Sequence, residues 1–109
     1  MMPVQLNTHK YSAQRTTCRF GHNHPSKREA ARCEELCLLE KGGVIKDLKF
    51  QPRYKLEVNG KLICTYVGDW SFTENGELVT MDCKGVRTDV YRIKAKLFEA
   101  IYGRKIKET

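Results

Sequence analysis

Long apolar stretches are missing from this 109-residue chain. Nothing in it approaches the ~20 residues that cross a bilayer as a helix, and a charged fraction of 30% also argues against a membrane protein. The opening Met1-Met2-Pro3-Val4-Gln5 lacks the charged-then-apolar plan of a secretory leader, so the expected location is the cytoplasm. Acids are in short supply: 13 Asp and Glu stand against 20 Lys and Arg, a net charge of +7. That imbalance favours an anionic partner over a neutral one. There are no repeats and no low-complexity tract. The five cysteines are odd in number and do not read as a disulfide framework in a reducing compartment. They are core fillers or metal ligands. A hydrophobic fraction of 40% is enough for one modest core, and hence for one domain.

Residues 1–17 are polar and patternless, which predicts a flexible N-terminal arm. The domain proper is expected over residues 18–109, beginning with a compact Cys/His loop at 18–25. A helix is predicted from Ser26 to Gly42-Gly43, with Ala30, Cys33, Leu36, Cys37 and Leu39 on one broad side. Phe50, Tyr54, Leu56 and Val58 then alternate with Gln51, Arg53, Lys55 and Glu57, as in a half-buried strand. Asn59-Gly60 is a strong hairpin signal. It leads into a second strand, Lys61 to Phe72, with Leu62, Cys64, Tyr66, Trp70 and Phe72 in phase. After a turn at Glu74-Asn75-Gly76-Glu77 comes a third strand, Leu78 to Lys84. A second helix is predicted from about Thr88 to Tyr102, with the stripe Val90, Ile93, Leu97 and Ile101 and a stop at Gly103. The tail Arg104-Lys105-Ile106-Lys107-Glu108 adds a short edge strand. The order α-β-β-β-α-β predicts an α/β (α+β) fold, one mixed sheet flanked by helices.

The chemistry concentrates at Asp82 and Lys84. Two residues apart on a strand, their side chains emerge on the same side. Asp82 follows Val79-Thr80-Met81 in a strand expected to be central, where Asp is disfavoured. Asp69 closes Ile63-Cys64-Thr65-Tyr66-Val67-Gly68, and hairpin pairing would bring it close to the other two. Two acids at the same end of neighbouring strands repel unless a cation lies between them. Such a set suits a divalent cation held by the acids, with the lysine supporting an attacking water and the charge on a phosphate. The plain alternative is a salt bridge from Lys84 to either acid. Glu29, at i, i+4, i+7 spacing with Cys33 and Leu36, completes the set from the first helix; equally, Ser26-Lys27-Arg28-Glu29 is a capping box. Glu40, in the helix's final turn, is a weaker rival.

A helix-borne Glu, a strand Asp and then Asp-x-Lys on the next strand, in α-β-β-β-α-β order, resembles the PD-(D/E)XK nuclease superfamily with its restriction-endonuclease-like fold. More narrowly, the chain resembles a family of small phage-encoded proteins of unassigned function. The matching stretches are Ser26-Lys27-Arg28-Glu29-Ala30, Gly43-Val44-Ile45-Lys46-Asp47-Leu48, Gln51-Pro52, Tyr66-Val67-Gly68-Asp69, Asp82-Cys83-Lys84-Gly85 and Thr88-Asp89-Val90-Tyr91-Arg92-Ile93-Lys94-Ala95-Lys96-Leu97-Phe98. The resemblance implies a Mg²⁺- or Mn²⁺-dependent endonuclease, similar to Holliday-junction resolvases and to repair or restriction nucleases, working in the host cytoplasm if phage-encoded. Asp69 and Asp82 would be metal ligands, Lys84 would orient the water, and Glu29 would assist. Two positions depart from the pattern. Gly68 stands where the superfamily's name has proline, and Met81 stands where relatives often carry a second acid.

A second signal lies in Cys18-Arg19-Phe20-Gly21-His22-Asn23-His24-Pro25, followed by Cys33. Cys18, His22, His24 and Cys33 have the ligand types of a closed, tetrahedral zinc site, and Cys37 could replace Cys33 one turn on. The spacing matches no standard finger, and the resemblance does not explain it. The alternative is that Cys33 and Cys37 fill the core while His22 and His24 are solvated. For DNA, the basic residues offer phosphate contacts at Arg15 and Arg19 in the arm and loop, at Lys27 and Arg28, and around the second helix at Arg87, Thr88, Arg92, Lys94 and Lys96. Tyr91 and Phe98 read as packing rather than base stacking. The reading is a DNA endonuclease, expected as a homodimer in which each protomer nicks one strand of a duplex or branched substrate. The rival is a non-catalytic DNA-binding or recombination-accessory module with a zinc-stapled loop; a structural phage protein is a third class.

Overall fold

The computed structural model describes residues 15–109. The chain divides into two compact units, Met1–Gly42 and Gly43–Thr109. The fold is mixed α+β, with the order β1 (Thr16–Thr17), β2 (Asn23–His24), α1 (Lys27–Lys41), β3 (Lys46–Phe50), β4 (Arg53–Val58), β5 (Lys61–Val67), β6 (Trp70–Glu74), β7 (Glu77–Asp82), α2 (Asp89–Tyr102) and β8 (Lys107–Glu108). No helix among the described residues is long and apolar enough to cross a membrane.

In the first unit the expected arm lies outside the described residues except for positions 15–17. Of these, Thr16 and Thr17 pair antiparallel with His24 and Asn23, so these two positions belong to a strand rather than to a patternless arm. The Cys/His loop is therefore a tight ribbon. Cys18 N donates to His22 O and Gly21 N to Cys18 O, both at 2.9 Å. Gly21 takes a φ of 88°, which a residue with a Cβ rarely adopts. Against this ribbon lies α1, capped by Ser26 as its sequence predicts: Ser26 Oγ accepts from Glu29 N at 3.1 Å. Ala30, Cys33 and Leu36 are buried, and the chain leaves the helix through Gly43 at positive φ.

The second unit is built on a long antiparallel ribbon that bends. The single strand expected over Lys61–Phe72 is divided at Gly68-Asp69 into β5 and β6, and the opposing strand is divided at Gln51-Pro52 into β3 and β4. The pairing carries across the bend: Arg53 lies opposite Val67 and Phe50 opposite Trp70. Between them, Gly68 N donates to Pro52 O and Gln51 N to Asp69 O. The bend has a local cause. Pro52 has no N–H for a continuous ladder, and Gln51 is forced to a φ of 52°. One arm of the ribbon, β4–β5, closes through Asn59-Gly60, both at positive φ. The other contributes to a four-stranded mixed sheet ordered β3-β6-β7-β8. There β6 and β7 meet at Asn75-Gly76 and β8 runs parallel to β7, so β7 is interior, as expected.

Helix α2 packs on the β4–β5 arm through a core of Leu56, Tyr66, Tyr91 and Phe98. This corrects the stripe predicted for it. Val90, Ile93 and Ile101 are exposed, and the buried turns are those of Tyr91 and Phe98. The cause is aromatic packing. Phe98 meets Tyr54 edge-on with centroids 5.0 Å apart and stacks on Tyr102 at 5.0 Å. Rings of this area bury more apolar surface than the aliphatic stripe one position over. Both ends of the helix are as predicted: Thr88 Oγ1 accepts from Tyr91 N, and Gly103 closes it at a φ of 74°.

Candidate functional sites

Two clusters of chemistry-bearing side chains emerge, one in each unit. In the second unit, β7 ends at Asp82, and Lys84 lies just beyond in extended chain, its N–H bonded to Thr109 O. Asp69 occupies the ribbon's bend rather than a strand end, with its N–H on Met81 O at 3.1 Å. Its carboxylate Oδ2 accepts from Cys83 N at 2.8 Å. Asp82 is 3% exposed; its Oδ2 accepts from Tyr66 Oη at 2.6 Å, and its Oδ1 lies 3.5 Å from Lys84 Nζ. Asp82 therefore lies against both the Asp69 carboxyl and the Lys84 ammonium, the neighbourhood expected from hairpin pairing and from Asp-x-Lys spacing, although β7 stops at Asp82.

The electrostatics of the three are those of a crowded site. Burial and a hydrogen bond with the Asp69 carboxyl push Asp82 up to about 7, against smaller opposing effects of Tyr66 and Lys84. Tyr66 is itself held well above the ordinary phenol range by burial and by its bond to Asp82. The ammonium of Lys84 sits 4.2 Å from the centroid of the Tyr91 ring. Tyr91 Oη donates to Glu108 Oε2 at 2.7 Å, and Arg87 Nε donates to Glu108 Oε1 at 2.7 Å.

Tyr66, Tyr91 and Glu108 were not singled out as site residues by the sequence. The two tyrosines read there as core positions, and Glu108 as part of an edge strand. The signal lay in position alone: Glu108 is opposite Asp82 in the β7–β8 pairing.

Gly68 has a physical reason to be glycine. A Cβ there would lie 3.2 Å from Tyr66 Oη and 3.3 Å from Thr80 Cγ2. A proline would also lose the N–H that reaches Pro52 O.

The basic residues expected on DNA have varied fates. Arg87 is paired with Glu108, and Thr88 spends its hydroxyl on the α2 cap. Lys94 Nζ donates to Thr65 O at 2.9 Å, fastening α2 to β5. Arg92 is an exposed side chain 3.8 Å from Asp89. Lys96, Lys27, Arg28 and Arg19 are exposed, the Arg19 guanidinium standing 5.9 Å from the Phe20 ring centroid.

In the first unit, Cys18, His22, His24 and Cys33 place one donor atom each within 4.8 Å of one another. This set could hold a metal such as zinc. Cys33, rather than its neighbour Cys37, is the thiol brought to it. Burial works against ionisation of Cys18, but backbone N–H groups of His22 and Phe20 and the rings of His24 and His22 outweigh it, bringing the thiol down to about 6. Burial and the neighbouring thiols raise Cys33 instead.

Glu29, expected to assist the aspartates, belongs to this unit. Its carboxylate Oε2 lies 2.7 Å from His24 Nδ1. Of the predicted capping box, the half made by Ser26 Oγ and the Glu29 N–H is present; the Glu29 carboxylate, expected to reach back to the Ser26 amide, lies on the histidine instead.

The family model described as "Protein of unknown function (DUF1064)" matches residues 8–109, and the chain belongs to that family. No curated protein and no solved structure matches it.

Proposed function

We propose that this DUF1064 protein is a divalent-cation-dependent nuclease that hydrolyses phosphodiester bonds in DNA. The observation that carries the reading is the meeting of Asp69, Asp82 and Lys84 at the end of β7. The donors there are carboxylate oxygens alone, the type that Mg²⁺ or Mn²⁺ prefers. The two carboxyls are close enough to share a hydrogen bond, so their mutual repulsion is relieved by either a proton or a cation. Asp69 and Asp82 would hold the cation, which supplies charge neutralisation at the scissile phosphate.

The protein's own groups do the rest. Tyr66 and the Cys83 amide each occupy one oxygen of Asp82 and Asp69, fixing the orientation of both carboxylates. Lys84, at 3.5 Å from Asp82 Oδ1, is loosely paired and keeps donors for a water and a phosphate oxygen. Tyr91 supports its ammonium from below and is anchored in turn by Glu108. The net charge of +7 supports an anionic substrate. Exposed Val90, Ile93 and Ile101 on α2 support the homodimer reading, which light scattering with Ile93→Glu would test.

The deciding experiment incubates supercoiled plasmid and four-way junction DNA with Mg²⁺ or Mn²⁺, using Asp82→Ala as control and a gel shift beside it. Cleavage by the wild type and not by the variant supports the enzyme. Binding without cleavage by the wild type would leave the accessory DNA-binding reading instead. Absence of both activities would point to a structural role.

A further inference from the structure

We propose that Cys18, His22, His24 and Cys33 form a structural zinc site, with Glu29 as the carboxylate that orients His24. The distances between donors carry it. A tetrahedral zinc with Zn–S of about 2.3 Å and Zn–N of about 2.0–2.1 Å has S–S edges of about 3.8 Å and S–N edges of about 3.6 Å. Here Cys18 Sγ and Cys33 Sγ are 3.9 Å apart. His22 Nδ1 is 3.6 Å from Cys18 Sγ and 3.3 Å from Cys33 Sγ. These are the edges of a coordination polyhedron: too long for a disulfide, whose sulfurs would be about 2 Å apart, and suited to one ion at the centre.

The remaining donor is set by its partner. An ionised carboxylate can only accept, so the 2.7 Å contact with Glu29 puts the His24 proton on Nδ1. The lone pair then lies on Nε2, a buried atom, and is available to the ion. Carboxylate, histidine and metal in line form the outer-shell arrangement that fixes tautomer and ring orientation at such sites.

Charge agrees with burial. Two thiolates and two neutral imidazoles around a dication sum to zero, which suits a site where Cys18 is 3%, Cys33 0% and His24 4% exposed. The tight turn at Gly21, whose N–H bonds Cys18 O, folds the loop so that Cys18 and His22 face one another. All four positions are filled by protein, so the site has no room for a substrate and is structural.

The site is independent of the nuclease reading, and its test needs no DNA. Full-length protein purified without chelator should carry about one zinc per chain by elemental analysis. Cys33→Ser should lose it, while Cys37→Ser and Asp82→Ala should keep it. Replacement by Co²⁺ in the wild type should give thiolate-to-cobalt absorption in the near ultraviolet and the intense visible bands of tetrahedral coordination. Glu29→Ala should keep that spectrum but bind about 10- to 100-fold more weakly in competition with a chelator, while the helix cap, made through the backbone N–H of residue 29, is retained. Zinc-free protein, zinc retained in Cys33→Ser, or a cobalt spectrum without thiolate bands would each overturn the proposal. Should Cys33→Ser fail to fold, the wild-type cobalt spectrum decides alone.

Discussion

The two units of this chain gather polar side chains for opposite ends. In the first, two sulfur and two nitrogen donors lie within 4.8 Å of one another on a tight loop and a helix. In the second, oxygen donors stand beside an ammonium whose side chain is 26% exposed. Cys and His ligands suit the proposed structural metal that would hold the loop to the helix. Hard ligands, crowded beside a partly exposed ammonium, suit the proposed site that meets a substrate from solution. The difference teaches that donor type and closure together separate the two roles, where residue names alone would make both "metal sites".

That contrast can be broken most sharply at Lys84. Lys84→Ala should reduce divalent-cation-dependent DNA cleavage by about 10²-fold or more while leaving zinc content and circular dichroism unchanged. A variant that still cut at the wild-type rate would remove the lysine from the mechanism.

The next largest effect is expected at Gly68. An added Cβ presses on the Tyr66 hydroxyl and on Thr80, so Gly68→Ala should lower unfolding free energy by about 1–3 kcal/mol in urea titrations.

Asp82→Asn tests the crowding itself. The folded protein holds a proton on Asp82 up to about pH 7, whereas the unfolded chain releases it near 3.8. The carboxyl therefore costs stability progressively as pH rises through that window, and the cost is complete above it. The asparagine variant escapes it, so its advantage in unfolding free energy over the wild type should grow from pH 4 to pH 8, by roughly 2–4 kcal/mol. Added Mg²⁺ should raise the Tm of the wild type at pH 8 and not that of Asp82→Asn. An advantage constant with pH would refute this account.

Smaller again is Arg92→Ala. Its partner Asp89 is 3.8 Å away and both are exposed, so less than about 0.5 kcal/mol of stability should change. Any loss of affinity for DNA, read as a shallower salt dependence, would assign it to the phosphate contacts.

Much of this was legible in the sequence because short-range rules governed it. Ser26 and Thr88 cap their helices, Asn59-Gly60 and Asn75-Gly76 turn their hairpins, and Asp-x-Lys spacing put Lys84 beside Asp82. The Cys18–Cys33 cluster followed from ligand type. What escaped needed tertiary information. The bend at Gln51-Pro52 and Gly68-Asp69 depends on two segments breaking at the same level, so Lys61–Phe72 read as one strand. The aliphatic stripe of α2 competed with an aromatic one an angular step away, and ring packing against Leu56 and Tyr66 decided it. The capping-box spacing correctly placed Glu29 at a helix start, but no local rule could tell that His24 would claim its carboxylate. Glu108 became part of the second cluster only because β8 lies along β7.

The bent ribbon also marks out where this protein can be altered. Asp69 is fixed at the corner by bonds to Gln51, Met81 and Cys83, and the Asn59-Gly60 tip lies about six residues further out, ~20 Å along an extended strand. A peptide tag or fluorophore inserted at that tip should leave the acidic cluster in place, which makes it a natural handle for immobilising or tracking the molecule.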